Sequence, residues 1–404
     1  VFTFITILFN RFIMEFNVER AFRDLKNLDF PRFAGTEGEK KAREYIRREF
    51  EKTGFEVNGE KFTYFPSMRI FRKLSHILQA FLFLSIGYFI TINPLTSFIL
   101  SIVLLIYLFI TTRWAKFLGS SLLFGKKGTS ENIIASHRGS DTDKKVILMA
   151  HYDTKSELLP IRLRIVILTV SIVGGMFYSL AALGASFGSM FLSFPIFSDP
   201  FLYGGIFLFA ITLLLAFNRT GNKSPGIADD GSGLAVMLEL ARILSENPPE
   251  NLDIDFVASG VEEIALAGSI NYLKKHDEKM DRENTFLIIL DLLGSGELRY
   301  NSSFGIPMKK TSQRLNKLIE ESAEEEGINM GKKYYPTGLA ADHMSFVERG
   351  FEATWLLSSM PGVHTKRDDI EAIDENTLIN AGRVVNGVIS KLENVEFSQY
   401  GSNK

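Results

Sequence analysis

Residues 74–112 form a run of 39 positions without a single Asp, Glu, Lys or Arg, with Asn93-Pro94 near the middle. Each half, at about 18 to 20 residues, has the length needed to cross a ~30 Å hydrocarbon core. A second uncharged block runs over 165–198, and after Asp199 a third covers 200–218, with a turn expected at 195–200. The pattern predicts four membrane spans, near 75–92, 95–112, 164–188 and 201–217, arranged as two hairpins. Buried helices of a large soluble core are the ordinary alternative, but such helices seldom run this long without a charge.

The rest of the chain alternates short apolar runs with amphipathic ones. A charged helix with Ala42, Tyr45, Ile46 and Phe50 at helical spacing is expected over 38–53. Strands are expected at 132–135, 146–150, 254–258, 286–290 and 353–357. Helices are expected to open at Asp230-Gly231-Ser232, to follow Glu263, and to cover 310–325 and 375–392. Strands alternating with helices imply crossover connections, hence an α/β fold with a mainly parallel mixed sheet covered by helices on both faces. The predicted organisation is a discontinuous soluble domain (14–66, 117–160 and 219–400) interrupted by membrane hairpins at 74–113 and 162–218, with 222–225 as a short linker.

Composition sharpens this picture. A mean hydropathy of +0.09 beside 23% charged residues reads as an average of two unlike materials. The net charge of −2 gives no electrostatic pull toward nucleic acid. With no cysteine, disulfides, thiolate metal sites and cysteine nucleophiles are excluded, and any metal must be held by His, Asp and Glu. Basic residues flank all four spans: Arg69, Arg72 and Lys73; Arg113 and Lys116; Arg162 and Arg164; Arg219 and Lys223. Neither hairpin tip carries one. By the positive-inside rule the tips face outward, and a multi-pass membrane protein with a cytoplasmic soluble domain is expected. Residues 1–13 are too short to span and make a poor signal peptide, so Met14 is expected to be the initiator, with a membrane-surface segment as the alternative.

Candidate chemistry lies at strand ends, where open α/β sheets place their sites. The run 146–150 ends in His151-Tyr152-Asp153, an imidazole with a carboxylate near enough to orient it. Asp229-Asp230 sits in a glycine-rich turn before a helix; an N-cap role accounts for one of these acids, not both. Glu262-Glu263 follows the strand at 254–258, and adjacent carboxylates repel unless a cation or proton separates them. Asp291 closes the strand at 286–290, and His364 follows the one at 353–357. His151, Asp229, Glu263, Asp291 and His364 together suit two divalent ions, most naturally zinc, with a free carboxylate as base. His76, His137 and His276 read as bystanders.

The segments Gly35-Thr36-Glu37-Gly38, 146–153, 226–233, 262–269, Asp291, Ala341-Asp342-His343-Met344-Ser345-Phe346 and His364-Thr365 through Asp368 resemble the M28 family of zinc peptidases, which includes aminopeptidases and glutaminyl cyclases. The resemblance implies that Asp229 bridges two zinc ions, that His151 and Asp291 complete one site, and that Glu263 and His364 complete the other. It further implies Glu262 as general base, Asp153 as the orienter of His151, and a peptide substrate cleaved from its amino terminus. A single-zinc, glutaminyl-cyclase-like acyl transferase and a non-catalytic interaction protein are the alternatives.

Two departures from that family stand out. His151 and Asp229 are 78 residues apart (229 − 151), a gap filled by the third and fourth spans, and Val363 precedes the last histidine where some relatives carry tyrosine. Oxyanion stabilisation then falls to His343, Tyr334 or Tyr335. The short flanks of the second hairpin place the pocket near the bilayer surface, with Arg162, Arg164, Arg219 and Lys223 facing anionic headgroups and apolar, membrane-associated peptides as favoured substrates.

The orientation is directly testable because the chain has no native cysteine to interfere. In intact cells a membrane-impermeant thiol reagent should label Asn93→Cys and not Lys126→Cys. Labelling of Lys126→Cys from outside reverses the topology.

Overall fold

The computed structural model describes residues 16–113, 125–140, 142–337, 339–359 and 362–394. The expected Met14 start, Lys116 and Pro361 lie outside them.

The first described elements are α1 (Val18–Leu28) and α2 (Glu37–Glu51). Thr36 caps α2 by accepting from the Glu39 amide, while the Glu39 carboxylate takes the Gly35 amide at 2.6 Å, so two orphan donors of the first turn are satisfied. Next come β1 (Glu56–Tyr64), the long helices α3 (Met68–Ile92) and α4 (Pro94–Arg113), then β2 (Gly128–His137) and β3 (Lys145–His151). A two-residue strand β4 (Ser156–Glu157) leads into helix α5 (Ile161–Leu192), which carries a π-turn at Val170–Gly174. Helix α6 (Ser198–Phe217) returns to β5 (Thr220–Gly221), which pairs antiparallel with β4.

The remaining elements are α7 (Ser232–Glu246), β6 (Asp253–Ser259), α8 (Ala267–His276), β7 (Thr285–Leu290), β8 (Leu298–Phe304), β9 (Lys309–Lys310), α9 (Gln313–Glu325), β10 (Met330–Tyr335), α10 (His343–Glu348), β11 (Glu352–Leu357) and α11 (Glu375–Asn394). They form one nine-stranded sheet in the order β1-β2-β6-β3-β7-β11-β8-β10, with β9 on β8. The central strands β6, β3, β7 and β11 are mutually parallel, and antiparallel pairs flank them. The expected α/β architecture is thus present. Strands β1, β8 and β10 escaped the pattern because each is polar and partly exposed or alternates irregularly: Glu56–Tyr64, for example, buries only its last apolar positions.

Buried side chains fill both faces. One layer packs Leu148, Phe256, Phe286 and Leu290 against α1, α2, α7, α9 and α11; the other packs Ile147, Val257, Ile289 and Trp355 against α8 and α10. The four helices α3 to α6 are long and apolar enough to cross a membrane. They meet around Phe83, Ile86, Leu104, Leu108 and Leu208, while large apolar side chains such as Leu78, Phe81, Ile106, Phe177 and Phe191 stand exposed on the outside. Glycines let the helices approach closely: a Cβ at Gly87 would lie 2.5 Å from the Phe201 carbonyl, and one at Gly205 2.7 Å from that of Phe83.

Helix α7 leans directly on β7. A Cβ added at Gly233 would stand 2.0 Å from the Leu290 carbonyl, one residue before Asp291. Gly233→Ala should therefore push α7 off the strand and cost about 2 kcal/mol or more, read as a lower denaturation midpoint in detergent. Unchanged stability removes this close approach from the account of the fold.

Candidate metal centre

The carboxyl ends of β3, β6, β7 and β11 converge under the hairpin formed by α5 and α6. Apolar strand residues end in polar ones at that edge, so each strand delivers one or two ionisable groups to a single buried point. His151 is the last residue of β3, and its amide donates to Asp230 Oδ2 at 3.0 Å. The second oxygen of Asp230 accepts the Gly233 amide at 2.9 Å, so this acid takes the capping role foreseen for one of the pair.

Asp229, joined to Asp230 by a cis peptide bond, points the other way. Its Oδ1 lies 3.0 Å from His151 Nε2 and its Oδ2 3.0 Å from His364 Nε2. Glu263 Oε1 is 3.1 Å from His364 Nε2, and Asp291 Oδ1 is 3.9 Å from His151 Nε2. Two donor groups result, His151–Asp229–Asp291 and Asp229–Glu263–His364, each with all its atoms within 4.8 Å and sharing Asp229. All five side chains are buried. The five expected ligands are thus brought together.

This donor set fits a pair of divalent ions. Among the described residues Asp291 Oδ1 is buried without a hydrogen-bond partner, and Glu263 Oε1 meets only the His364 ring nitrogen; both face the histidines. Without a cation, burial and the like charges of Asp230 and Asp229 push Asp291 well above the usual carboxylate range, and burial with Glu263, Asp342 and Asp291 does the same to Glu262. Glu263 is held down to about 2, since Lys155 and His364 outweigh its burial. A dication at each donor group would take the place of the protons that this crowding retains.

Asp153 works differently from its expected role. Its carboxylate lies 3.6 Å from His151 Nδ1, beyond hydrogen-bond reach, whereas its main-chain carbonyl meets Nδ1 at 2.9 Å. The carboxylate instead accepts the Glu262 and Glu263 amides at 2.8 and 3.2 Å and so fixes the acid pair. His343 is buried away from the centre, with Nε2 on Asn301 Oδ1 at 3.0 Å and its ring stacked on Trp355. Tyr334 donates to the Gly305 carbonyl and Tyr335 packs on Trp355, so none of the three reaches the centre.

Several contributors carry no sequence signal. Arg32 is fully buried and donates to the carbonyls of Tyr152, Pro225 and Gly226, tying both ligand-bearing loops together. Lys155 Nζ lies 2.7 Å from Glu263 Oε2. Arg164, expected at the headgroups, is buried in the first turns of α5 with Glu157 and donates to His364 Nδ1 at 3.0 Å; Arg162, Arg219 and Lys223 are exposed. A cavity of about 370 Å³ opens over the centre, walled on its far side by α3, α4, α5 and α6. His76, read as a bystander, is among the residues that line it.

Residues 212–389 match the model of peptidase family M28. The match takes in Asp229, Glu262, Glu263, Asp291 and His364 and leaves out His151, which α5 and α6 separate from the rest. Among curated proteins the chain is similar to aminopeptidase YwaD of Bacillus subtilis (30% identical over 173 residues, 41% of this chain and 37% of that protein). It is also similar to the alkaline phosphatase isozyme conversion protein of Escherichia coli (36% over 163 residues, 36% and 46%). It thus spans less than half the length of these relatives. In fold, the chain is similar to an aminopeptidase from an Aneurinibacillus species (TM-score 0.57, 17% identical, covering 94% and 95% of the two chains). A Bacteroides thetaiotaomicron glutaminyl cyclase is similar too (TM-score 0.54, 16%, 95% and 99%).

The shared carboxylate sets a metal-content test. Purified protein loaded with zinc should hold two ions per chain, and Asp229→Ala should fall below one. Retention of two ions by Asp229→Ala excludes the bridging position.

Proposed function

We propose that this protein is a membrane-anchored, di-zinc aminopeptidase, with His151, Asp229, Asp291, Glu263 and His364 as its ligands and the soluble domain in the cytoplasm. The observation that carries this reading is the position of Asp229, whose two oxygens each face a different histidine at 3.0 Å. Zinc held there would polarise the scissile carbonyl and acidify the attacking water.

The chain's own residues supply the rest. Glu262 belongs to neither donor group, yet its Oε2 is 4.0 Å from His151 Nε2 and its backbone is pinned by Asp153, so a free carboxylate stands beside the centre in a fixed orientation. It takes the proton of the attacking water and returns it to the leaving amine. Burial, with crowding by neighbouring acids, raises its proton affinity, which suits a group that must hold a proton between two steps. Burial of Asp229, Glu262, Glu263 and Asp291 around one end of the cavity also makes that end a seat for a positively charged amino terminus.

Kinetics and metal content separate base from ligands. Glu262→Gln should lower kcat on leucyl p-nitroanilide by about 10³-fold or more while two zinc ions remain bound, and acetylation of the substrate amine should abolish cleavage by the unaltered protein. Substantial turnover in Glu262→Gln overturns the base assignment. Cleavage of acetylated and free peptides at equal rates overturns the aminopeptidase mode.

A further inference from the structure

The cavity has a second pole, built by a helix long and apolar enough for a membrane. Arg72 and His76 stand one turn apart on α3, on the same helical face, with Cβ atoms about 5 to 6 Å apart. Both line the cavity that holds Asp229, Glu262 and Glu263. Arg72 forms no ion pair or hydrogen bond with any described residue, and the charges that act on it most strongly are Glu263 and Glu262 across the cavity. His76 Nδ1 is buried without a hydrogen-bond partner among the described residues. Neighbouring polar groups of the bundle are, by contrast, engaged: Ser75 with Tyr107, and Gln79 with the Ser171 carbonyl at the π-turn of α5.

The Arg72 guanidinium, exposed in the first turns of α3, and the unpartnered Nδ1 of His76 thus border the cavity together, two groups able to meet one ligand. Guanidinium has only donors, arranged to meet a carboxylate with two parallel hydrogen bonds. The cavity therefore has an acidic end and a basic end in one small volume, complementary to a zwitterion.

We infer that Arg72 and His76 bind the C-terminal carboxylate of the substrate, so that this protein acts on short peptides of a few residues with both termini free. The inference rests on the aminopeptidase reading, which seats the amino group at the acidic end. The cavity that holds both ends has a volume of about 370 Å³, which admits a small ligand and not a long chain. Helix α3 is thereby a wall of the substrate site as well as an anchor.

The test compares Leu-Gly-Gly with its C-terminal amide, using the full-length protein in phosphatidylcholine and in phosphatidylglycerol vesicles, with leucyl p-nitroanilide as a third substrate. The unaltered protein should show a KM for the free acid about ten-fold or more below that for the amide, with similar kcat. In Arg72→Gln that preference should collapse toward one, through KM, and Arg72→Lys should restore part of it. No cleavage of any of the three substrates by the unaltered protein fails the peptidase reading itself. Cleavage with no acid preference overturns the carboxylate site alone, and needs no variant that must fold. An Arg72→Gln effect that follows vesicle charge and ignores the substrate carboxylate assigns Arg72 to a lipid headgroup and overturns the inference as well.

Discussion

Asp153, Asp229, Asp230, Glu262, Glu263, Asp291, Asp342 and Asp368 are all buried around one point at the end of the sheet. Negative charges that close repel strongly in a medium of low dielectric, and the surrounding structure is arranged to bear it. Backbone amides of Glu262, Glu263, His151, Gly233 and Ala228 meet the acids that hold no metal-facing position. Ser259 and Ser269 do the same for Asp342. Arg32 and Lys155 add buried positive charge, leaving Asp229, Glu263 and Asp291 with oxygens aimed into the centre.

Much of this was legible before the fold was known. His151 and Asp291 each close an apolar strand run, and Glu263 and His364 follow two others in sequence, so their gathering at one sheet edge follows from hydrophobic patterning, and the four long apolar helices follow from uncharged length. What could not be read was direction. Asp153 lies two residues from His151 in either account, but only the backbone path decides that its carbonyl, not its carboxylate, meets the imidazole. His343 shares a segment with Asp342 and was expected near the reaction, yet the short helix that carries it turns its ring under Trp355.

The same limit applied to the basic residues at the span ends. Counting them predicts orientation and says nothing about which turn inward. Arg162 and Arg164 stand two positions apart at the start of one helix, yet Arg162 is exposed while Arg164 is buried with Glu157 and donates to His364 Nδ1. A cation near the end of an apolar helix can reach headgroups by extending its stem; Arg164 is instead held beside the cavity.

The 78 residues between His151 and Asp229 also fix an order of assembly. Strand β3 pairs only with β6 and β7, both made after the second hairpin. On a ribosome adding about 5 to 20 residues per second, the histidine that begins the centre waits about 4 to 16 s for its first acidic partner. During that interval α5 and α6 are synthesised, and β4 and β5 then zip their feet together. The sheet is thus completed, and both donor groups assembled, only after the whole of α5 and α6 has been made.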